Sequence, residues 1–372
     1  MVASQSKLAA AFSGKTVLVT GHTGFKGSWL SAWLRRLGAN VVGLSIDIPT
    51  EPSHFKLLNI AGEIEDIRHD VRDADAVGAA MARVQPDFVF HLAAQPLVRR
   101  AYNQPLETFS VNAIGTAVVL DSLRTLKKPC AAVIITSDKC YDNVEWEWGY
   151  RETDLLGGKD PYSGSKGAAE LVIRSYHASY FSAADHPVRL AVGRAGNVVG
   201  GGDWAEDRLV PDCVRAWANG AVVDIRSPNA TRPWQHVLEP LSGYLWLAAL
   251  LSQDRALNGE AFNFGPAATD NYTVEDVITA MAQTWSSGKA QFVVREQTGR
   301  SEAGLLKLNC DKAFARLAWR PTLTFVETAR MTSEWYDAFY ANAGGTAVRT
   351  HTTAQIATYE TLAKGRGLAW AN

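Results

Sequence analysis

The sequence predicts an α/β fold, a Rossmann-type doubly wound parallel sheet with a smaller C-terminal lobe. Three observations carry this reading. Short β-branched runs alternate with amphipathic stretches from Lys15 onward, the pattern of parallel strands covered by helices on both faces. A glycine-rich turn follows the first of these runs. Beyond Asn197 the alternation gives way to a Gly200-Gly201-Gly202 turn, scattered Trp and Pro, and separate helical stretches, which suits a second, irregular lobe. In order, residues 16–20 read as the first strand and 29–37 as the helix behind it. Residues 41–47, 64–68, 88–92, 132–137 and 188–194 continue the strands, with helical patterns at 106–126 and 162–180 between them. Helices follow at 209–218, 235–251, 274–285 and 325–341, whereas residues 343–372 show no core pattern until Tyr359 and Leu362.

The 372 residues allow two or three ordinary domains or one large α/β unit. We divide them into residues 1–196, a dinucleotide-binding Rossmann domain that includes the helix at Tyr162; residues 197–345, mainly a substrate-binding lobe, with room for segments that return to the first domain; and residues 346–372, a tail whose role stays open. Lys plus Arg number 37 against 38 Asp plus Glu, so no global basic field attracts nucleic acid or an anionic membrane, and neither is expected as a partner. Cys130, Cys140, Cys213 and Cys310 lie far apart with no CxxC pair; no metal site or disulfide framework is expected, and a reducing cytoplasm suits them. No secretory h-region and no run of about 20 apolar residues is present.

Gly21-His22-Thr23-Gly24-Phe25-Lys26-Gly27 directly follows the first strand and opens the first helix. Gly21, Gly24 and Gly27, with Phe25 among them, suit a pyrophosphate site, because glycine lets the backbone turn sharply and approach the anion, while free N–H groups at the helix start bind it. A plain strand-to-helix turn has the same look. Asp47 sharpens the reading: it ends the second strand 20 residues beyond Gly27, where a carboxylate accepts from the adenosine ribose hydroxyls and repels a 2′-phosphate. NAD is thus favoured over NADP. Asp70 suits the adenine amino group, and Ala93 and Ala94 are small enough to let backbone lie against the cofactor; each serves equally as a strand-end or packing residue.

Tyr162 and Lys166 stand i,i+4 at the start of a helix, so phenol and ammonium share one face. A free tyrosine titrates near about 10, and a neighbouring ammonium stabilises the phenolate, which then takes a proton from a hydroxyl as hydride leaves for NAD. The upstream glycine turn and the strand-end Ser137 set this pair apart from a chance surface Tyr–Lys pair. Segments 20–29, 91–96, 136–141, 162–166 and 194–204 together resemble the CDP-glucose 4,6-dehydratases, extended short-chain dehydrogenase/reductases, over residues 14–340 or so.

This resemblance implies an internal redox cycle on CDP-D-glucose. Tyr162 would deprotonate the sugar O4 while the C4 hydride goes to NAD; water is then eliminated across C5 and C6, and the hydride returns to C6. Asp138 would protonate the departing C6 hydroxyl, and Ser137 would hydrogen-bond the O4 region. Where dTDP-glucose and GDP-mannose relatives commonly carry a Glu, this chain has Lys139, either a neutral amine acting as C5 base or a cation stabilising the enolate. Asn197 and Arg232 match family residues near the substrate phosphates. Arg208 joins them, or else pairs with Asp212 at i,i+4. The helices 106–126 and 167–180 resemble those that form a family homodimer. Two alternatives stay open: another nucleotide-sugar 4,6-dehydratase or a 4-epimerase, and a non-catalytic NAD-sensing protein on the same fold.

Overall fold

Side chains alternate across a strand, and in a sheet covered on both faces this alternation divides the core in two. The computed structural model describes residues 6–225, 227–294, 305–341 and 346–372. Among these residues a central sheet is formed by β1 (Thr16–Thr20), β2 (Asn40–Ser45), β3 (Glu65–Arg68), β4 (Phe88–His91), β5 (Cys130–Ile135), β6 (Val188–Arg194) and β7 (Ala261–Asn263). All seven are parallel, in the order β7-β6-β5-β4-β1-β2-β3. Val17, Val19, Phe88, Phe90, Val133 and Ile135 face one core, while Leu18, Val89, Ala132 and Ile134 face the other.

Nine helices carry the rest of the argument: α1 (Phe25–Arg36), α2 (Ala74–Val84), α3 (Gly115–Arg124), α4 (Pro161–Tyr176), α5 (Leu209–Ala218), α6 (Leu238–Leu251), α7 (Val274–Thr284), α8 (Phe325–Ala341) and α9 (Thr346–Gly365). Helices α2, α3 and α4 cover one face through Val77, Met81, Leu120, Leu123 and Ile173. Helices α1 and α6 cover the other. The stretch read as one helix at 106–126 runs as Pro105–Phe109, a π turn at Ser110–Ile114, then α3. Helix α6 is apolar nearly all round because it is buried on every side, with β5 and β6 beneath it. With β7 it returns chain from beyond residue 197 to the sheet.

The remaining lobe is built on α7 packed against α8, with three two-stranded pairs: Val198–Val199 with Gln235–His236, Thr231–Arg232 with Tyr272–Thr273, and Val223–Ile225 with Phe292–Val294. The open tail is helix α9, which packs on α1 and α8. Tyr359 and Trp370 stack on each other and both meet Trp33 edge-on. Trp29, one turn into α1, donates its indole N–H to Gly201 O at 2.8 Å, joining this helix to the Gly200–Gly202 turn of the lobe.

Candidate active site

The strand order reverses at β1, so a crevice opens at the C-terminal ends of β1 and β4. Gly21 lies just past β1 at φ +75°, and a Cβ there would stand 2.7 Å from Ala93 N, just past β4. A Cβ on Gly27 would come within 2.0 Å of Gly21 O. Close approach of backbones thus demands both glycines. Thr20 Oγ1 hydrogen-bonds His91 Nδ1 at 2.7 Å and accepts from Ala93 N at 3.2 Å, and His91 Nε2 meets Thr116 Oγ1 at 3.1 Å, which ties the two strand ends together. Burial pulls His91 down to about 3, so a neutral imidazole bridges the two hydroxyls. Gly24 caps α1 with no side-chain acceptor, leaving first-turn N–H groups for an anion.

Thr23 Oγ1 donates to Asp47 O at 2.6 Å, fixing Asp47 beside the turn with its carboxylate exposed. Asp70 is engaged: Arg72 donates through Nε to both carboxylate oxygens at 3.0 Å, and these bonds hold the carboxyl below its usual range. Ala94 follows Ala93 in the loop after β4, and Phe25 reaches the lobe, 3.3 Å from where a Cβ on Gly200 would sit.

At the end of β5 the chain enters a 3₁₀ turn, Asp138–Cys140, capped by Ser137 Oγ accepting from Lys139 N at 3.3 Å. Ser137 Oγ donates to Asp138 Oδ1 at 2.8 Å. Asp138 Oδ2 is buried with no partner. It packs directly on Gly196, where an added Cβ would fall 1.7 Å from it. Tyr162, in the first turn of α4, is pushed up to about 12 by burial; the Ser137 hydroxyl and Arg208 work the other way and Asp138 adds to the rise. Lys166, one turn on, is brought down to about 8 by burial against the opposing pull of Cys140 and Glu170. The groups that lower the phenol are therefore Ser137 and Arg208, and burial outweighs them. Lys139 is half-buried, and its ammonium makes no hydrogen bond or ion pair among the described residues.

Asn197 follows Gly196 at φ +46°, its side-chain Nδ2 buried and unpartnered. Its carbonyl accepts from Gln235 N at 3.3 Å. Arg208 faces Tyr162 and pairs with Asp203 at 2.7 Å. The i,i+4 pair with Asp212 is absent because Arg208 is the extended cap residue of α5, outside the helix, and Asp212 pairs with Arg215. Arg232 stands apart on the Thr231–Arg232 strand, with Nη1 donating to Thr231 O at 2.8 Å. The structure thus gathers Ser137, Asp138, Tyr162, Lys166, Asn197 and Arg208, with Arg232 on a neighbouring ribbon.

Sequence reading missed the support beneath them. Arg194 grips Glu170 through two bonds, 2.7 and 2.8 Å, and Thr136 Oγ1 donates to the same carboxylate at 2.6 Å. Arg194 also donates to Tyr141 OH, which donates to Asn263 Oδ1. This buried network pins α4 to β5, β6 and β7. Asn112, in the π turn, accepts from Gln95 N and donates to Ser165 Oγ at 2.8 Å in both cases. The i,i+4 spacing of Glu170 from Lys166 was the available sequence signal.

A Rossmann crevice joined to a strand-end Ser and a helical Tyr–Lys pair defines an extended short-chain dehydrogenase/reductase. The GDP-mannose 4,6 dehydratase family model matches residues 18–332. A CDP-glucose 4,6-dehydratase of Salmonella typhimurium is 47% identical over 331 residues, covering 88% of this chain and 92% of that protein. A dTDP-glucose 4,6-dehydratase of Streptomyces antibioticus is 28% identical over 86% of this chain and 92% of its own length. Among solved structures, a Thermus thermophilus UDP-glucose 4-epimerase in complex with NAD is similar with a TM-score of 0.72 at 26% identity, covering 86% of this chain and 98% of that one. The chain belongs to the GDP-mannose 4,6-dehydratase family.

Proposed function

We propose that the protein converts CDP-D-glucose to CDP-4-keto-6-deoxy-D-glucose, with NAD as its resident cofactor. The observation that carries the reading is the buried, unpartnered oxygen of Asp138 beside the Tyr162 phenol, an acid that simple 4-epimerisation does not need. The glycine cradle at Gly21, Gly24, Phe25 and Gly27, the exposed Asp47 carboxylate, and Asp70, Ala93 and Ala94 at successive strand ends fit a dinucleotide. NAD held in that cradle would supply the acceptor for the C4 hydride and its source for return to C6. Tyr162 takes the O4 proton, with Ser137 oriented to the same oxygen and Lys166 favouring the phenolate. Asp138 Oδ2 protonates the departing C6 hydroxyl. Lys139, whose side-chain nitrogen has no partner among the described residues, takes the C5 proton as a neutral amine, stabilises the enolate as the resulting ammonium, and returns a proton to C5 as hydride reaches C6. Asn197, Arg208 and Arg232 take the diphosphate, so residues 1–196 serve the cofactor and 197–345 mainly the substrate. CDP selectivity rests on the likeness to the Salmonella protein.

The protein acts as a homodimer in the cytoplasm: Leu106, Phe109, Ile114 and Leu171 are exposed on the two helical stretches that the family resemblance implicates. Among the described residues no helix is long and apolar enough to cross a membrane. The test is CDP-D-glucose deuterated at C4, supplied without added oxidant. The 4-keto-6-deoxy product should carry the label at C6. Epimerised sugar, or label lost to solvent, would overturn the reading.

A further inference from the structure

The chemistry derived above uses no residue of α9, yet Thr352 of that helix is fully enclosed, between α8 and the short helix His54–Leu58. Its Oγ1 accepts from Trp335 Nε1 at 2.9 Å and meets His54 Nε2 at 3.1 Å. His54 Nδ1 in turn meets Ser28 Oγ at 2.7 Å, and Ser28 Oγ donates to Phe25 O at 2.9 Å. An indole N–H only donates and a carbonyl only accepts, so this line of bonds runs one way. Thr352 donates to His54 Nε2, and His54 donates through Nδ1 to Ser28. Each hydroxyl and the imidazole between them thus gives one proton and takes one. Burial pulls His54 down to about 3, which keeps the ring neutral as this line requires.

The two rings that Thr352 holds form the seat of the Gly200–Gly202 turn. A Cβ on Gly201 would fall 2.0 Å from Trp335, and one on Gly202, at φ +84°, would fall 2.6 Å from His54. Contact this close leaves no slack, so a tilt of either ring moves the turn. Side chains also hold the next residue: the Tyr336 hydroxyl accepts from Asp203 N at 3.1 Å and donates to Asp203 O at 2.6 Å. Asp203 then accepts from Ala205 N at 3.0 Å through Oδ1 and from Arg208 at 2.7 Å through Oδ2. The position of the turn therefore decides where the Arg208 guanidinium stands. At its other end the line meets α1, a helix of 12 residues whose own backbone ladder holds Phe25 O. A loss at Thr352 thus falls on the lobe, where the chain is irregular, rather than on α1.

We propose that Thr352 is a positioning residue for the substrate's diphosphate: its hydroxyl orients Trp335 and His54, these rings seat the Gly201–Asp203 turn, and the turn sets Arg208. The inference rests on the function proposed above, in which Arg208 takes that diphosphate. Its test is the Kd of CDP, cytidine and NADH for the wild type, Thr352→Val, Thr352→Ser, Arg208→Met and the double variant of Thr352→Val with Arg208→Met. Valine keeps the volume and removes the hydroxyl. Thr352→Val should weaken CDP by about three- to tenfold and leave cytidine and NADH within about twofold, while Thr352→Ser restores most of the loss. In the Arg208→Met background the valine should cost CDP nothing further, because the group it positions is gone. Unchanged CDP affinity in Thr352→Val overturns the inference, as does a full further loss in the Arg208→Met background. An equal loss for NADH or cytidine also overturns it, since that marks a disturbed fold. Failure of the functional reading looks different: the wild type would then bind CDP no more tightly than cytidine, and the role of Thr352 falls with it.

Discussion

Asp138 Oδ2 is the most exacting position in the cleft, because its space is defined by what Gly196 lacks. A methyl group at residue 196 would overlap the carboxylate, at 1.7 Å, so Gly196→Ala must displace the acid without touching the cofactor crevice. Asp138→Asn removes the proton but leaves the volume. Both variants should oxidise CDP-D-glucose and then stall, accumulating absorbance of reduced cofactor while dehydration falls by about 10²- to 10⁴-fold. An equal loss of oxidation and dehydration in Asp138→Asn would mean that the carboxyl is not a dedicated acid. The residues of this cleft were readable because their chemistry needs particular types at particular spacings: Tyr162 and Lys166, the glycines, the Ser137–Asp138 pair. Arg194 was hidden because its partners Glu170 and Tyr141 lie 24 and 53 residues away, which no local spacing records.

Elements are held by buried polar groups that local pattern does not reveal. Helix α6 carries Glu239 in its first turn, fully inside, accepting from Thr322 N, Leu323 N at 2.6 Å and the Tyr359 hydroxyl of α9 at 2.8 Å. Burial pushes its carboxyl up to about 7 from an ordinary 4.5. The folded chain therefore holds this proton more tightly than the unfolded chain, and the associated stability is present below about pH 4.5 and lost as pH rises through about 7. Relative to Glu239→Gln, the wild type should lose on the order of 3 kcal/mol between about pH 5 and about pH 8, read from Tm or urea midpoints. Parallel pH profiles for the two proteins would exclude this linkage. The strands β1, β4 and β6 were legible as apolar runs, whereas β7 is only three residues long and gains its place from pairing with β6. The tail was opaque for a related reason: α9 buries Val348, Ile356, Tyr359 and Ala363 against partners far away in sequence, and its spacing has meaning only beside α1 and α8.

At the scale of the whole molecule, one apolar core runs from Leu8 through α1 and α6 to Trp335 and Trp370. Sheet and lobe therefore share their interior, and a large apolar junction of this kind opposes hinge opening between them. Trp29 is the point where that continuity reaches the cofactor turn: it is fully buried, two residues past Gly27, and bonded to Gly201 of the lobe. Indole emission overlaps the absorption of reduced nicotinamide, so the protein carries an optical reporter beside its own crevice. Its ultraviolet-excited fluorescence should fall as NADH binds, and Trp29→Phe should remove a disproportionate share of that quenching. Full indole emission at saturating NADH would place the dinucleotide away from α1, and the entire cofactor assignment with it.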